Sequence, residues 1–326
     1  MSCRIAIDAM GGDDAPAVVV EGAWLAHEDG VPVVLVGDQP RLESLLAGRA
    51  LPIVHAPDAL AMDAGAAEVR RSPDTSIRRA MALVRDGEAG AVVSCGGSGA
   101  TLVAAVMDVG LLDGVERPAI TVALPRADGG TLYLLDAGAT VDCRPDHLVC
   151  FAALGAAWAR AMGVEDARVG LLSNGTEPHK GTRVVREAHA LLSAAALRYV
   201  GQVEPIGAFA GEVDVLVADG FAGNVLLKTA EGLIVLLREL LRRELDPDLA
   251  PRVARSLQSV RAQLDWRSRG GALLVGARAP VVIAHGRADA AAVRAAARLA
   301  HYACTTGLVD EVRQRFAASA PAGDGA

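Results

Sequence analysis

The sequence predicts an α/β protein, a doubly wound and mostly parallel sheet covered on both faces in a three-layer sandwich. Three observations carry this. Short β-branched and aliphatic runs alternate along the chain with helical patterns. Those runs are apolar throughout, as strands buried on both faces are. They end in Gly or Asp, the turn residues that return a chain from a strand into a helix.

The elements follow in order. Arg4–Ala9 reads as a strand, 10–14 as a Gly-rich loop and Ala15–Ala26 as a helix. Val31–Val36 is a second strand closed by Gly37 and Asp38, and Ile53–His55 a third. Ser76–Arg85 is helical, Ala91–Cys95 a strand and Ser98–Val109 a helix. Ala119–Leu124 and Thr131–Leu135 read as paired strands, followed by a helix over Asp146–Met162, a strand over Val169–Leu172 and a helix over Gly181–Ser193. Val213–Ala218 is a strand feeding a long helix from Gly223 to about Glu244, with a second helix over Leu249–Leu264. Val281–Ala284 is a late strand and Asp289–Leu308 a final helix.

The chain has 326 residues, enough for one large or two medium domains, and is read as a single domain over 1–316 with a disordered tail over 317–326. Hydrophobic residues make up 52% and aromatic ones only 3%, so Ala, Val and Leu must fill the core. A formal charge of −7 argues against a general nucleic-acid binder, which needs a basic field. Cys3, Cys95, Cys143, Cys150 and Cys304 form no C-x-x-C pair and have no His cluster at zinc-ligand spacing, so reduced thiols in a cytoplasm are expected. Arg4 and Asp8 interrupt any signal-peptide core, and no stretch reads as an uninterrupted membrane span.

The chemistry is expected beyond the carboxyl ends of the strands, where an open α/β sheet binds ligands. Four strand-end loops concentrate Gly, Asp and Ser. One runs from Asp8 through Gly11 and Gly12, and a second through Ser94, Cys95, Gly96, Gly97, Ser98 and Gly99. A third holds Asp136, Gly138 and Thr140, and a fourth Asp219, Gly220, Gly223 and Asn224. A fifth, 173–181, adds the cation Lys180, and a sixth is His285-Gly286. Glycines allow close backbone approach, and exposed amides with a lysine hold an oxyanion. Read blandly, the same glycines are turn residues, Asp8 and Asp219 are helix caps, Lys180 is a solvated first-turn lysine and His285 bonds its own turn.

These loops also carry a resemblance. Ile5-Ala6-Ile7-Asp8-Ala9-Met10-Gly11-Gly12-Asp13, Asp136-x-Gly138-Ala139 with Val141-Asp142-Cys143, Asp219-Gly220-Phe221-x-Gly223-Asn224-Val225-x-Leu227-Lys228, and Gly270-Gly271-Ala272-x-Leu274-x-Gly276 before His285-Gly286 resemble, in order and spacing, the bacterial phosphate acyltransferase (PlsX) family. The resemblance spans about residues 4 to 310. It implies a fold related to the phosphotransacetylases, with a protruding long helix pair and a homodimer. It implies transfer of a fatty acyl group from an acyl carrier protein to inorganic phosphate, for phospholipid synthesis, without metal or cofactor. On this reading Lys180 and the Gly96–Gly99 amides hold phosphate, Asp219 orients substrate or shuttles a proton, and Asn224 and His285 donate to the oxyanion or leaving sulfur. Asp8, Gly11, Gly12, Ser94, Asp136, Gly138, Thr140, Gly220 and Gly223 complete the binding loops.

Some positions depart from the family pattern. Gly97, Ser98, Thr140 and Thr182 stand where the family has Asn or Thr, and Ser173-Asn174 stands for Asn-Ile. Ser98, Asn174 and Thr140 are candidates to compensate for the lost amides. The alternative is a divergent paralogue that transfers or hydrolyses a carrier-bound acyl group with another acceptor in a specialised pathway. Cys95, before a helix N-terminus that lowers thiol pKa, would serve it as a nucleophile, or is simply a small buried residue where the family has Ala. Gly96-Gly97-Ser98-Gly99-Ala100 also faintly resembles a nucleophile elbow, without an evident acid and His pair. A third reading is a catalytically silent scaffold.

From Arg238 to Arg278, nine arginines face five acidic residues, a local +4 that suits an acidic carrier protein or else a solvated helix face. The tip of the helix pair, Leu245-Asp246-Pro247-Asp248-Leu249-Ala250-Pro251, offers two leucines beside two aspartates, which reduces the family's membrane contact to a weak peripheral one at the inner face. The stripe Leu226, Leu233, Leu237, Leu240 and Leu241 is expected to pack on the sheet or a dimer partner.

Overall fold

A computed structural model describes residues 3–244 and 270–319. In chain order the elements are β1 (Ile5–Asp8), α1 (Ala17–Glu28), β2 (Val33–Gly37), α2 (Gln39–Leu46), β3 (Ile53–His55), α3 (Ala66–Arg71), α4 (Ser76–Arg85), β4 (Ala91–Ser94), α5 (Ser98–Ala104), β5 (Ala119–Pro125), β6 (Thr131–Leu135), α6 (Pro145–Ala161), β7 (Val169–Leu172), α7 (Arg183–Ser193), β8 (Tyr199–Val203), α8 (Pro205–Ala210), β9 (Val215–Val217), α9 (Gly220–Glu244), β10 (Ala272–Val275), β11 (Val281–Ile283), α10 (Ala290–Thr305) and α11 (Leu308–Ser319).

Where the sequence reads one domain, the chain groups into two compact units. The first holds Met1–Thr121 with Arg267–Ala326, and the second Val122–Trp266. In the first, β3, β2, β1, β4 and β11 run parallel in that order, and β10 joins β11 antiparallel. β10 also pairs antiparallel with the first half of β5. Ile5, Ala6 and Ile7 are fully buried, as are Ala91 and Val92, which is why these runs carry no polar alternation. α1 packs against α10 through alanine: Ala23, Ala26, Ala296, Ala297 and Ala300 are all fully buried. Gly22 lies so close to Val293 that a Cβ there would overlap it. Small residues let the two backbones approach, so a core poor in aromatics still closes.

In the second unit, β6, β9, β7 and β8 run parallel in that order, and the second half of β5 joins β6 antiparallel. α6 and α7 pack together and flank this sheet. Thr182 caps α7 by accepting from Val185 N at 3.3 Å. This gives the Thr after the Lys180-Gly181 pair a structural role.

The expected elements form with small shifts of their ends, and several others are added. α2 is capped by Asp38, which accepts from Arg41 N. β8 is half-exposed and interrupted by Gly201, and β10 reads Ala-Leu-Leu-Val, so neither announces itself by β-branched residues. The single helix expected over Ser98–Val109 changes pitch: Ala105–Val109 is a π-helical turn closed by Gly110 N to Ala105 O at 3.0 Å. There the buried Asp108 pairs with Arg78. α11 continues past Phe316 to Ser319, into the stretch read as tail. The second helix of the expected pair, its tip and most of the arginine-rich stretch lie outside the described residues.

α9 bears on two expectations. Its Leu233, Leu237 and Leu240 are 58%, 53% and 46% exposed, so this stripe does not pack on the sheet; Leu227 is the buried leucine. Gly220–Leu241 is also long and apolar enough to cross a membrane by length and composition alone, with mean hydropathy 1.4. The exposed Lys228–Glu231 ion pair lies within it.

Candidate active site

In the first unit, three strand-end loops are tied together. Asp8 closes β1 and is only 3% exposed. One carboxylate oxygen accepts from Ser94 Oγ at 2.7 Å and the other from Met10 N at 3.3 Å, and the Ser76 hydroxyl and Gly11 amide also bond it. Burial raises its pKa, against the lowering effect of these bonds. Ser94 Oγ in turn accepts from Gly96 N at 3.0 Å. A Cβ on Gly11 would sit 2.6 Å from Asp8 Oδ2 and 2.7 Å from Gly96 N, so the two loops touch only because this residue has no side chain. The third loop joins through Asp13 N, which donates to Gly286 O at 2.8 Å. Gly12, at φ +122°, lies against Cys95 and Gly286.

A small cavity opens beside Asp8, lined by Gly11, Ser76, Ser94, Gly96, Gly97 and Thr101, with Leu60, Ala61 and Ile77 as its apolar wall. Gly96 has spent its amide on Ser94, so the amides left for a ligand in this loop are those of Gly97, Ser98 and Gly99. Ser98 and Gly99 are exposed. His285 Nδ1 accepts from Arg287 N at 3.0 Å, which places the proton of the neutral ring on Nε2.

Cys95 does not have the environment of a nucleophile. It is 2% exposed, and burial, with the nearby Asp8 charge, pushes its thiol up to about 12. The lowering expected from a helix N-terminus is outweighed by loss of solvent.

The second unit repeats the device. Asp136 closes β6 and is fully buried. Its Oδ1 accepts from Gly138 N at 3.1 Å and Ala139 N at 2.9 Å, and its Oδ2 from Thr140 N at 2.6 Å. Thr140 O accepts from Gly220 N at 2.8 Å, docking the first turn of α9 on the loop. Cys143 donates to the same carbonyl at 3.3 Å, and burial, with Asp136 nearby, pushes its thiol up to about 12. Asp219 accepts from Ala222 N at 2.8 Å, the helix-cap geometry, which commits one of its oxygens. Asn224 is exposed on the same turn, and its carboxamide makes no hydrogen bond to a described residue.

Lys180 lies on another loop of this unit, its stem packed along Gly175. The loop is pinned by Asn174, whose Oδ1 accepts from Gly181 N at 2.9 Å. Lys180 as a whole is half-buried, and its ammonium has no hydrogen bond or ion pair to a described residue. A lysine held this way is a free cation for an anion.

The structure thus brings Asp8, Gly11, Ser94 and Gly96 into contact, and separately Asp136, Gly138, Thr140, Gly220, Gly223 and Asn224. Asp136 turns inward toward its own loop, whereas Asp8 also bonds Ser94 and Ser76 and borders the cavity. Sequence reading missed Ser76, whose only signal is its place at a helix start, and Leu60 and Ala61, which carry no motif.

Fold and loops define an α/β protein of the phosphotransacylase fold: a branched-chain phosphotransacylase from Enterococcus faecalis superposes with a TM-score of 0.60 at 16% identity, over 94% of this chain and 99% of that one. The model of the family described as "Fatty acid synthesis protein" matches residues 3–311. The phosphate acyltransferase of Thermus thermophilus is 48% identical over 323 residues, covering 97% of this chain and 99% of that one. That of Geobacter sulfurreducens is 44% identical over 326 residues, covering 96% and 94%. The chain belongs to this fatty acid synthesis protein family, as its strand-end motifs imply.

Proposed function

We propose that the protein is a phosphate acyltransferase that moves a fatty acyl group from an acyl-carrier-protein thioester to inorganic phosphate. The observation that carries this is the likeness, over nearly the whole chain, to relatives bearing that name. The free Lys180 ammonium, the free Asn224 carboxamide and the glycine loops suit it, because the reaction asks only for an anion site and oxyanion donors.

The chemistry balances without a covalent intermediate. An oxygen of hydrogen phosphate attacks the thioester carbonyl carbon. The tetrahedral intermediate collapses with cleavage of the C–S bond. The thiolate leaves and takes up the proton that phosphate brought, giving acyl phosphate and carrier thiol. In this scheme Lys180 and the amides of Gly97, Ser98 and Gly99 hold phosphate. Asn224 donates to the oxyanion, and the Nε2 proton of His285 is offered to the oxyanion or the departing sulfur. Asp219 orients the first turn of α9 through its cap. On this reading acyl phosphate feeds phospholipid synthesis, and the reaction runs in the cytoplasm with a weak peripheral contact at the inner face of the membrane. The bare leucine face of α9 supports a homodimer in which a second copy covers it.

The test is phosphate-dependent loss of acyl-carrier thioester, with mass spectrometry of the product. Acyl phosphate that forms only with phosphate present supports the reading. Lys180→Ala is expected to raise the KM for phosphate by roughly tenfold or more, the loss of one charge-assisted contact. Turnover indifferent to phosphate points instead to the divergent acyltransferase.

A further inference from the structure

We propose that Asp136 is a positioning residue for Asn224, setting the place of that carboxamide without touching substrate. The inference rests on the reading of Asn224 given above as an oxyanion donor. Four observations lead to it. Asp136 is fully buried, so its carboxylate is closed to ligands. Both of its oxygens are occupied by the amides of Gly138, Ala139 and Thr140. The loop held in this way presents Thr140 O to Gly220 N, the first amide of α9, at 2.8 Å. It also presents Gly138, at φ +136°, to Asn224: a Cβ built on Gly138 would lie 3.8 Å from Asn224 Cγ and 3.9 Å from Oδ1.

The glycines of α9 make the docking tight. A Cβ on Gly220 would meet Asp136 Oδ2 and Thr140 O, each at 2.7 Å, and one on Gly223 would overlap Asp136 O. The helix start therefore seats directly on Asp136, and Asn224, the next residue after Gly223, takes its position from that seat. Asp136 and Asn224 lie 88 positions apart in the sequence, yet they meet at the first turn of α9.

Asparagine at 136 keeps the shape and loses one acceptor. Its NH2 must then oppose either Thr140 N–H or the pair from Gly138 and Ala139, so the loop shifts. The expected effect is on the transition-state donor and not on ground-state binding. Asp136→Asn, Asn224→Ala and the double variant are assayed for phosphate-dependent turnover, with kcat and both KM values separated and thermal melting recorded. Asn224→Ala is expected to lower kcat by roughly 100-fold, as loss of an oxyanion donor does. Asp136→Asn is expected to lower kcat by roughly tenfold or more, with both KM values within about threefold. The double variant is expected to match Asn224→Ala within about threefold, because both changes remove the same contact.

Multiplying losses in the double variant would overturn the proposal, as would an effect of Asp136→Asn confined to KM or to melting temperature. If Asp136→Asn does not fold, Gly138→Ala in the same cycle tests the same seat from the other side. A wild-type protein without phosphate-dependent turnover overturns the function reading itself. Full activity of Asn224→Ala in a phosphate-dependent enzyme overturns the oxyanion-donor role of Asn224 and with it the positioning inference, and leaves the phosphate acyltransferase reading standing.

Discussion

Cys95 and Lys180 both sit in strand-end loops, and their surroundings give them opposite chemistry. Lys180 keeps its ammonium unpartnered among the described residues, with its stem on Gly175. Cys95 is sealed against Gly12 and the Asp8 loop, and its thiol is pushed up to about 12. At neutral pH the thiolate is then a negligible species, which suits the direct attack by phosphate proposed above. Cys95→Ala is expected to leave phosphate-dependent turnover within about twofold of wild type, with no acyl adduct on either protein by intact mass. A fall below roughly a tenth would return the covalent route to consideration.

At the scale of elements, the ion-pair network around Asp214 ties together three parts of the second unit. Arg168 bonds it through Nη2 at 2.9 Å, Nε at 3.0 Å and its backbone amide at 2.9 Å, and Arg126 through Nη1. Arg126 also reaches Asp128 in the β5–β6 turn at 3.0 Å. The approach to β7, the approach to β9 and that turn thus share one carboxylate. Burial alone would raise the Asp214 pKa, but the bonds from Arg168 and Arg126 outweigh it and hold the group at about 2. The folded value lies below the ordinary one of about 3.9. The stabilisation is therefore fully present above about pH 4 and lost as pH falls through about 2. Asp214→Asn is expected to lower the melting temperature at pH 7, with the gap from wild type closing toward pH 2. A gap independent of pH would assign the effect to packing and not to charge.

Across the whole molecule, each unit uses a buried aspartate at a strand end to fix glycine loops, between two loops at Asp8 and within one at Asp136. Asp8 works through Ser94 and Met10, and Asp136 through three consecutive amides. The exposed row of Leu233, Leu236, Leu237 and Leu240 on α9 is a liability for a protein alone in water. Sedimentation equilibrium is expected to give a dimer, and Leu237→Glu with Leu240→Glu to shift it toward monomer. A wild-type protein that is monomeric at micromolar concentration would remove the dimer and leave the lipid surface as the cover for this face.

Much of the fold was legible because its strands are buried on both sides. Ile5–Asp8 and Ala91–Ser94 are apolar runs whose boundaries are written in Asp and Ser, and their helices follow from the same pattern. β8 and β10 were not legible, since a half-exposed strand broken by Gly201 and a run of Ala and Leu resemble other structures equally well. The site was legible as a set of loops and motifs, but the division of labour within it was not. Asp8 and Asp136 share a residue type with Asp219 and a place at strand ends, and composition cannot tell a ligand from a loop brace.

The sequence by itself determined the α/β class, the family and the loops that matter, because period, turn chemistry and motif order are local properties of the chain. Only the tertiary structure decided that Asp8 and Asp136 are buried, that the Cys95 thiol is shut from water, that Lys180 has no partner among the described residues and that Leu233, Leu236, Leu237 and Leu240 are exposed. Each of these depends on which distant residues arrive beside the group and exclude water from it, and burial and partnership of that kind exist only once the chain has folded.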